Sequence, residues 1–218
     1  NNLYFSEVAK QMSGAKLSFV ASARLLDNLD DHGMEPSARQ LLAGTSHPVL
    51  RETVRDFIVN QRFRMDVFSK GARRLTGLEW RQAWLQESFT LTTPAPLVTY
   101  THQSPMGEME LDGHIYAPVI DFLASNSYAS KTVADICEAP GMATGELRDV
   151  LSALLTLTGL GYAQPARLSN HRVRNQTEAL NLHLCQKVLS SNQVSALASP
   201  ALAGGKLFSQ EHQMIILA

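Results

Sequence analysis

The hydrophobic residues of this 218-residue chain change their spacing twice, and this change limits the possible folds more than any other feature. Apolar side chains recur at steps of three and four over residues 49–70, which predicts an amphipathic helix. The step becomes two between residues 89 and 111, which predicts strands, and is helical again from residue 114. We therefore expect a mixed, mainly α fold with a small antiparallel β-sheet (α+β).

The segments before residue 49 add shorter elements. Residues 4–13 have helical spacing, Gly14 follows, and residues 16–23 form an apolar run typical of a strand. Helix, glycine and strand in this order is a common closing unit of α/β enzymes. We therefore expect this unit to contact a domain outside the sequence, and the chain to be part of a longer protein.

The period-two region predicts a β-hairpin with an extra edge strand. Its strands are expected at Phe89–Thr93, Leu97–His102 and Glu108–Leu111, with a turn over Ser104–Gly107. Further helices are predicted at residues 37–43, 79–88 and 176–190, and an apolar run at 212–217 closes the chain. Residues 166–175 are polar and basic, which indicates a linker, and Gly204-Gly205 indicates a loop.

Residues 114–164 have the element order of a winged-helix unit: two helices, a break, a long helix and a short strand. Ser130 and Thr144 are the predicted N-caps. The predicted recognition helix carries Glu146, Arg148, Asp149 and Ser152 near its start, and the carboxylates there would repel phosphate. We expect packing or dimerisation here rather than DNA binding. The predicted domains are residues 1–110, 111–166 and 167–218.

Composition excludes several classes of function. The net charge is −1 and the sequence pI is about 6.7, so nothing global attracts nucleic acid or an anionic membrane. No apolar stretch is long enough to span a bilayer, and the first residues lack the basic region and apolar run of a signal peptide. Cys137 and Cys185 lie far apart and are expected to stay reduced, as in a cytoplasmic protein.

No local motif supplies catalysis or cofactor binding. Gly159 and Gly161 follow a helix, whereas a dinucleotide or sulfonium cofactor needs a glycine-rich turn after a strand. The histidines lack metal-ligand spacing. We predict no catalytic, cofactor or metal residue in this chain, which leaves open whether the chain alone is an enzyme.

One basic cluster accompanies the predicted long helix. A solvated helix face with internal pairing to Glu52, Asp56 and Asp66 is one interpretation, and docking of an acidic partner or of a missing domain is the other. Trp80 and Trp84 lie four residues apart and are more typical of core anchors than of a binding platform. The docking candidates are Arg51, Arg55, Arg62, Arg64, Arg73 and Arg74.

Residues 51–64, RETVRDFIVNQRFR, resemble the signature of the methyltransferase regulatory domain. This module follows the S-adenosylmethionine-binding domain in a group of bacterial class I methyltransferases, which includes protein-lysine methyltransferases. The opening YFSEVAKQMSGAKLSFVASA, the segment ELDGHIYAPVIDFLA at residues 110–124 and the ending QMIILA are similar to the same family. The resemblance spans almost the whole chain and is strongest over residues 1–75.

The resemblance implies a regulatory or substrate-recognition module of an S-adenosylmethionine-dependent methyltransferase that acts on a protein substrate. The cofactor would then be bound by an upstream methyltransferase domain, and a homodimer is left open. Two alternatives remain. One is a winged-helix DNA-binding regulator, and the other is a self-contained enzyme whose catalytic residues are dispersed along the chain.

Overall fold

The computed structural model has mixed α and β structure, as predicted, and the described residues of its N-terminal part include three α-helices and a two-stranded antiparallel sheet. These elements are α1 (Phe5–Gly14), β1 (Leu17–Ser22), α2 (Pro36–Gly44), α3 (Pro48–Ile58) and β2 (Asp66–Lys70). Proline at the first position fits the starts of α2 and α3, because its fixed φ suits a helix and its missing N–H would be unpaired there. The structure describes residues 3–30, 34–104, 107–142, 146–167, 171–190, 194–202 and 204–217.

The predicted helix over residues 49–70 is wrong in its second half. Helix α3 ends at Ile58, and Asn60 has a φ of 50°, a left-handed conformation that ends helices. β2 then pairs antiparallel with β1, with Phe19 opposite Phe68. Only Met65, Asp66 and Val67 alternate in polarity, so the sequence spacing did not reveal the strand, and pairing with β1 decided the outcome.

The region after α4 (Gly77–Gln86) holds three strands, as predicted, but they belong to two sheets. β4 (Thr101–Ser104) and β5 (Gly107–Glu110) form a hairpin, whose turn residues Pro105 and Met106 lie outside the described residues. β3 (Ser88–Leu91) does not join it. The predicted strand over residues 97–102 begins instead as a single-turn 3₁₀ helix at Ala95–Leu97, because proline removes a backbone donor there.

A three-stranded antiparallel sheet and three helices form the middle of the fold. The elements are α5 (Gly113–Tyr128), β6 (Lys131–Thr132), α6 (Val133–Cys137), α7 (Leu147–Gly159) and β7 (Ala163–Ala166), and the strand order is β6-β3-β7. β3 therefore joins residues on both sides of the predicted boundary at residue 110. The domain limits and the winged-helix assignment stay predictions.

The predicted caps of this middle part have different outcomes. Ser130 is not the N-cap of α6. Thr132 is, because its side chain accepts a hydrogen bond from the Asp135 N–H while the Asp135 carboxylate accepts one from the Thr132 N–H. Thr144 lies outside the described residues.

The C-terminal part is a long helix, a hairpin and a short helix. The elements are α8 (His171–Val188), β8 (Ala196–Ser199), β9 (Gly204–Leu207) and α9 (Gln210–Leu217). The predicted linker over residues 166–175 is wrong from His171 onward, and the predicted loop at Gly204-Gly205 is a strand, because pairing with β8 supplies backbone hydrogen bonds that composition does not reveal.

The main hydrophobic core lies between Phe89 and Ala163. Helix α7 supplies much of it, since Leu154 and Leu157 are fully buried there, and α5 adds Leu123. Residues 3–70 contribute no buried side chain to this core among the described residues, and their own buried apolar side chains are Phe5, Met34 and Leu42. Cys137 and Cys185 are both free thiols, as predicted.

Gly159, the last residue of α7, contacts the N-terminal part so closely that alanine is expected to be destabilising there. A Cβ at this position would lie 2.5 Å from Cγ of Leu26, in the short 3₁₀ helix Leu25–Asn28. We expect Gly159→Ala to lower the free energy of unfolding by about 1–3 kcal/mol, as overpacking does. Gly44→Ala is the control, because an added Cβ there meets nothing within 4 Å. Equal chemical-denaturation curves for both variants would contradict this close packing.

Candidate functional site

The guanidinium of Arg64 binds three carboxylates beside the two-stranded β1–β2 sheet. Its guanidinium donates hydrogen bonds to Glu52 at 2.9 Å and to Asp66 at 2.9 Å, and it also donates to Asp56. It lies over the ring of Phe5, 4.3 Å from the centroid, and only 17% of the side chain is exposed. We call Arg64, Glu52, Asp56 and Asp66 the Arg64 cluster. It links α3 to β2 by charge and α1 by cation–π contact.

Burial and charge act against each other in the Arg64 cluster. Burial raises the pKa of Asp56 above its ordinary value, and the hydrogen bond and charge of Arg64 only partly oppose this. Burial alone would lower the pKa of Arg64, but hydrogen bonds to Asp66, Glu52 and Asp56 raise it instead. One guanidinium shared by three carboxylates cannot fully compensate each of them, so burial prevails at Asp56.

A second set of ion pairs joins α3 to the segment that follows the first 3₁₀ helix. Arg55 is only 5% exposed and donates to Asp30 at 2.5 Å and to the carbonyl oxygen of Leu29 at 3.4 Å. Arg51 also donates to Asp30 and lies 3.5 Å from Glu52. The two arginines therefore fix this segment against α3.

The six arginines predicted from the sequence do not form one surface. Arg51, Arg55 and Arg64 pair with carboxylates inside the N-terminal part, and Arg73 pairs with Glu79 at 3.0 Å on exposed α4. Arg62 and Arg74 are exposed, and no ion pair of either is among the described contacts. The internal-pairing interpretation accounts for four of the six, while docking stays a prediction.

A cleft of about 550 Å³ opens between the Arg64 cluster and the middle of the chain. Carboxylates and guanidiniums alternate with apolar side chains on its N-terminal wall, and the opposite wall comes from the β4–β5 hairpin and the end of α7. Its main lining residues are Arg24, Leu26, Asp27, Met34, Glu52, Arg55, Asp56, Val59, Arg64, His102, Gln103, Met109 and Gly159. This mixed lining is suited to a ligand that has both charged and apolar groups.

The far wall of the cleft was not found from the sequence. His102 Nε2 lies 2.8 Å from the carbonyl oxygen of Thr99, and its ring lies 5.5 Å from that of Tyr162. His102, Met109 and Gly159 belong to three separate elements. No local spacing signals that these elements meet the Arg64 cluster.

Residues 1–70 match the family described as the predicted methyltransferase regulatory domain. The match covers the N-terminal third of the chain, and we call residues 1–70 the regulatory domain. The regulatory domain ends with β2, so it includes the whole Arg64 cluster and the N-terminal wall of the cleft. The matched segment and its link to methyltransferases are those that the sequence resemblance indicated.

A relative and two solved structures extend the likeness beyond the regulatory domain. The uncharacterized protein sll1526 of Synechocystis sp. is 34% identical over 222 residues, which cover all of this chain and 43% of that protein. PKMT2 from Rickettsia typhi has a TM-score of 0.54 at 13% identity, and its complex with AdoHcy has a TM-score of 0.56 at 12% identity. Each match to PKMT2 covers 97% of this chain and 46% of the PKMT2 chain, so the folds are similar. The chain thus spans less than half the length of these proteins.

A second, apolar pocket of about 310 Å³ lies beside the regulatory domain. It is lined by Leu25, Trp80, Trp84 and Leu155 among others. Trp84 packs against the main core, as predicted, but Trp80 is 43% exposed, so only one of the two tryptophans is a core anchor. Their rings lie 6.5 Å apart, edge to face.

The structure adds little support for the two alternatives from the sequence, a DNA-binding regulator and a self-contained enzyme. Helix α7 buries seven of its thirteen residues, and its exposed start carries Arg148 and the carboxylate of Asp149. Among the described residues, no group of three or more His, Cys, Asp or Glu side chains lies close enough together to bind a metal ion. Along the described ranges, no helix combines the length and apolar character needed to cross a bilayer.

Proposed function

We propose that this chain is the regulatory and substrate-recognition part of an S-adenosylmethionine-dependent methyltransferase, and that it acts on a protein substrate. The cofactor site is supplied by the rest of the polypeptide. The match of residues 1–70 to the regulatory domain carries this proposal. The fold shared with PKMT2, which has been solved with AdoHcy, supports it.

The cleft beside the Arg64 cluster is the proposed binding site of the protein substrate. It is a concave surface between the regulatory domain and the middle of the chain, with both charged and apolar walls. A module that holds the acceptor in place raises the rate of methyl transfer by orientation, without taking part in the chemistry. Arg62 and Arg74, both exposed, are the proposed contacts for an acidic partner.

Filling the cleft tests this proposal. Ala23 is exposed on the cleft wall, so Ala23→Trp in the full polypeptide adds an indole inside it. We expect KM for the protein acceptor to rise roughly tenfold, because the substrate competes with the indole for the same space, while KM for S-adenosylmethionine stays unchanged. The control is Ala179→Trp, on the exposed face of α8 and outside the cleft.

Steady-state methyl-transfer kinetics with a protein acceptor provide both constants. An unchanged acceptor KM in Ala23→Trp would contradict the placement of the substrate in this cleft. A full polypeptide that transfers no methyl group to any protein would contradict the proposed function itself.

A further inference from the structure

The regulatory domain has too little hydrophobic core to be stable by itself. Phe5, Met34 and Leu42 are the buried apolar side chains among its described residues. An isolated segment of this length with three such side chains buries too little surface to offset the entropy of folding. Its exposed large apolar side chains are Leu3, Tyr4, Val20, Leu41, Leu50, Phe57, Phe63, Met65 and Val67.

Several of these exposed side chains lie together on one face of the two-stranded β1–β2 sheet. Phe19 and Phe68 point toward α1, where the ring of Phe5 lies 4.9 Å from that of Phe19. Because side chains alternate along a strand, Val20 and Val67 point to the opposite face. Pairing continues past β2, since the Ala23 N–H donates to the Met65 carbonyl oxygen at 2.6 Å. Met65 therefore shares this face.

This outer face, defined by Val20, Met65 and Val67, is apolar and uncovered. The three side chains are 53%, 56% and 45% exposed. Ala21, which pairs with Val67, and Ser18 and Ser69, which pair with each other, lie on the same face, so the described strand residues on it are uncharged. An uncharged apolar patch of this kind fits an apolar protein surface rather than nucleic acid.

The β1–β2 sheet also has free edges. The described sheet contains only β1 and β2, and a two-stranded sheet is marginally stable in water. The register of β1 shifts between Phe19 and Ala21, an irregularity that hinders pairing at an edge, whereas β2 is regular from Asp66 to Lys70. The edge suited to another strand is therefore that of β2.

We propose that β2 adds its free edge to the sheet of the S-adenosylmethionine-binding domain in the same polypeptide, and that this domain covers the outer face. The inference rests on the proposed function for the identity of that domain. More than half of sll1526 and of PKMT2 lies outside the part that this chain matches, which provides a partner of sufficient size. The uncovered face lies within the segment that matches the methyltransferase regulatory domain.

Hydrogen–deuterium exchange on the full polypeptide tests the edge. The amides of Asp66–Lys70 that do not donate to β1 should exchange at least roughly tenfold more slowly than the outward amides of β9, the internal reference. Equal exchange at the two edges would overturn the proposal. Protection that increases with protein concentration, together with a doubled mass in light scattering, would assign the face to a second copy and overturn it as well.

Substitution tests the outer face. Val67→Lys in the full polypeptide should lower the melting temperature by several degrees, because the lysine would be buried against an apolar surface. Leu207→Lys is the matched control, an exposed apolar residue on β9. Equal small shifts in both variants would overturn the covered face. If the β2 edge exchanges rapidly while Ala23→Trp still raises the acceptor KM, this inference fails and the proposed function stands. If the β2 edge is protected but the full polypeptide transfers no methyl group, the proposed function fails and the pairing of β2 stands.

Discussion

Replacing Arg64 with methionine is expected to lower the free energy of unfolding by about 3 kcal/mol, the lower end of the range for breaking a buried ion pair. Methionine keeps much of the side-chain volume but leaves Glu52, Asp56 and Asp66 without their shared cation. The contact of the guanidinium with the Phe5 ring is lost at the same time. Urea denaturation at pH 7 measures the effect.

The control for Arg64→Met is Arg73→Met. The Arg73–Glu79 pair is largely exposed, and surface pairs contribute little, so its denaturation midpoint should barely change. Equal losses in the two variants would contradict the structural role of the Arg64 cluster.

The loss in Arg64→Met should also depend on pH. The pKa of Asp56 is already raised by burial in the folded protein, and removing Arg64 removes the two effects that lower it most. A carboxyl group with a raised folded-state pKa takes up its proton in the folded state first, so folding gains stability as the pH falls through that pKa. Denaturation at pH 5 should therefore show a smaller deficit than at pH 7, and a larger deficit at pH 5 would contradict this.

Leu154→Ala is the second large expected effect. Leu154 is fully buried in the main core, and its truncation should lower the free energy of unfolding by about 2–5 kcal/mol through lost burial and the resulting cavity. The matched control is Leu155→Ala, at the partly buried neighbour on α7. Leu155 lines the second pocket, so its truncation should lower the free energy of unfolding by less than half as much. Urea denaturation compares the two, and the opposite order would contradict the assignment of the core face of α7.

The sequence was informative where helical spacing acts locally. The helices at α1, α2 and α4 were predicted close to their bounds, and Glu52, Asp56 and Asp66 were correctly named as acids that pair with Arg64. The pairing of Arg51 and Arg55 with Asp30 was not predicted. Errors arose where distant pairing decides the structure. Met65 and Phe68 have helical spacing, and only pairing with β1, more than forty residues earlier, selects the strand. Gly204-Gly205 became a strand for the same reason.

The candidate site was predictable only in part. Its N-terminal wall belongs to the segment whose signature indicated the regulatory domain, and Arg55 and Arg64, which line that wall, were among the residues named from the sequence. The opposite wall comes from the β4–β5 hairpin and the end of α7, which meet the regulatory domain through tertiary packing such as the Leu26–Gly159 approach. Spacing within one chain carries no signal for a contact between elements so far apart.

Titration calorimetry with S-adenosylmethionine tests most directly the claim that the cofactor site belongs to the rest of the polypeptide. We expect heat of binding with the full polypeptide and none with residues 1–218 alone, while both preparations give cooperative unfolding. Tight binding of S-adenosylmethionine to residues 1–218, or methyl transfer by them alone, would contradict it.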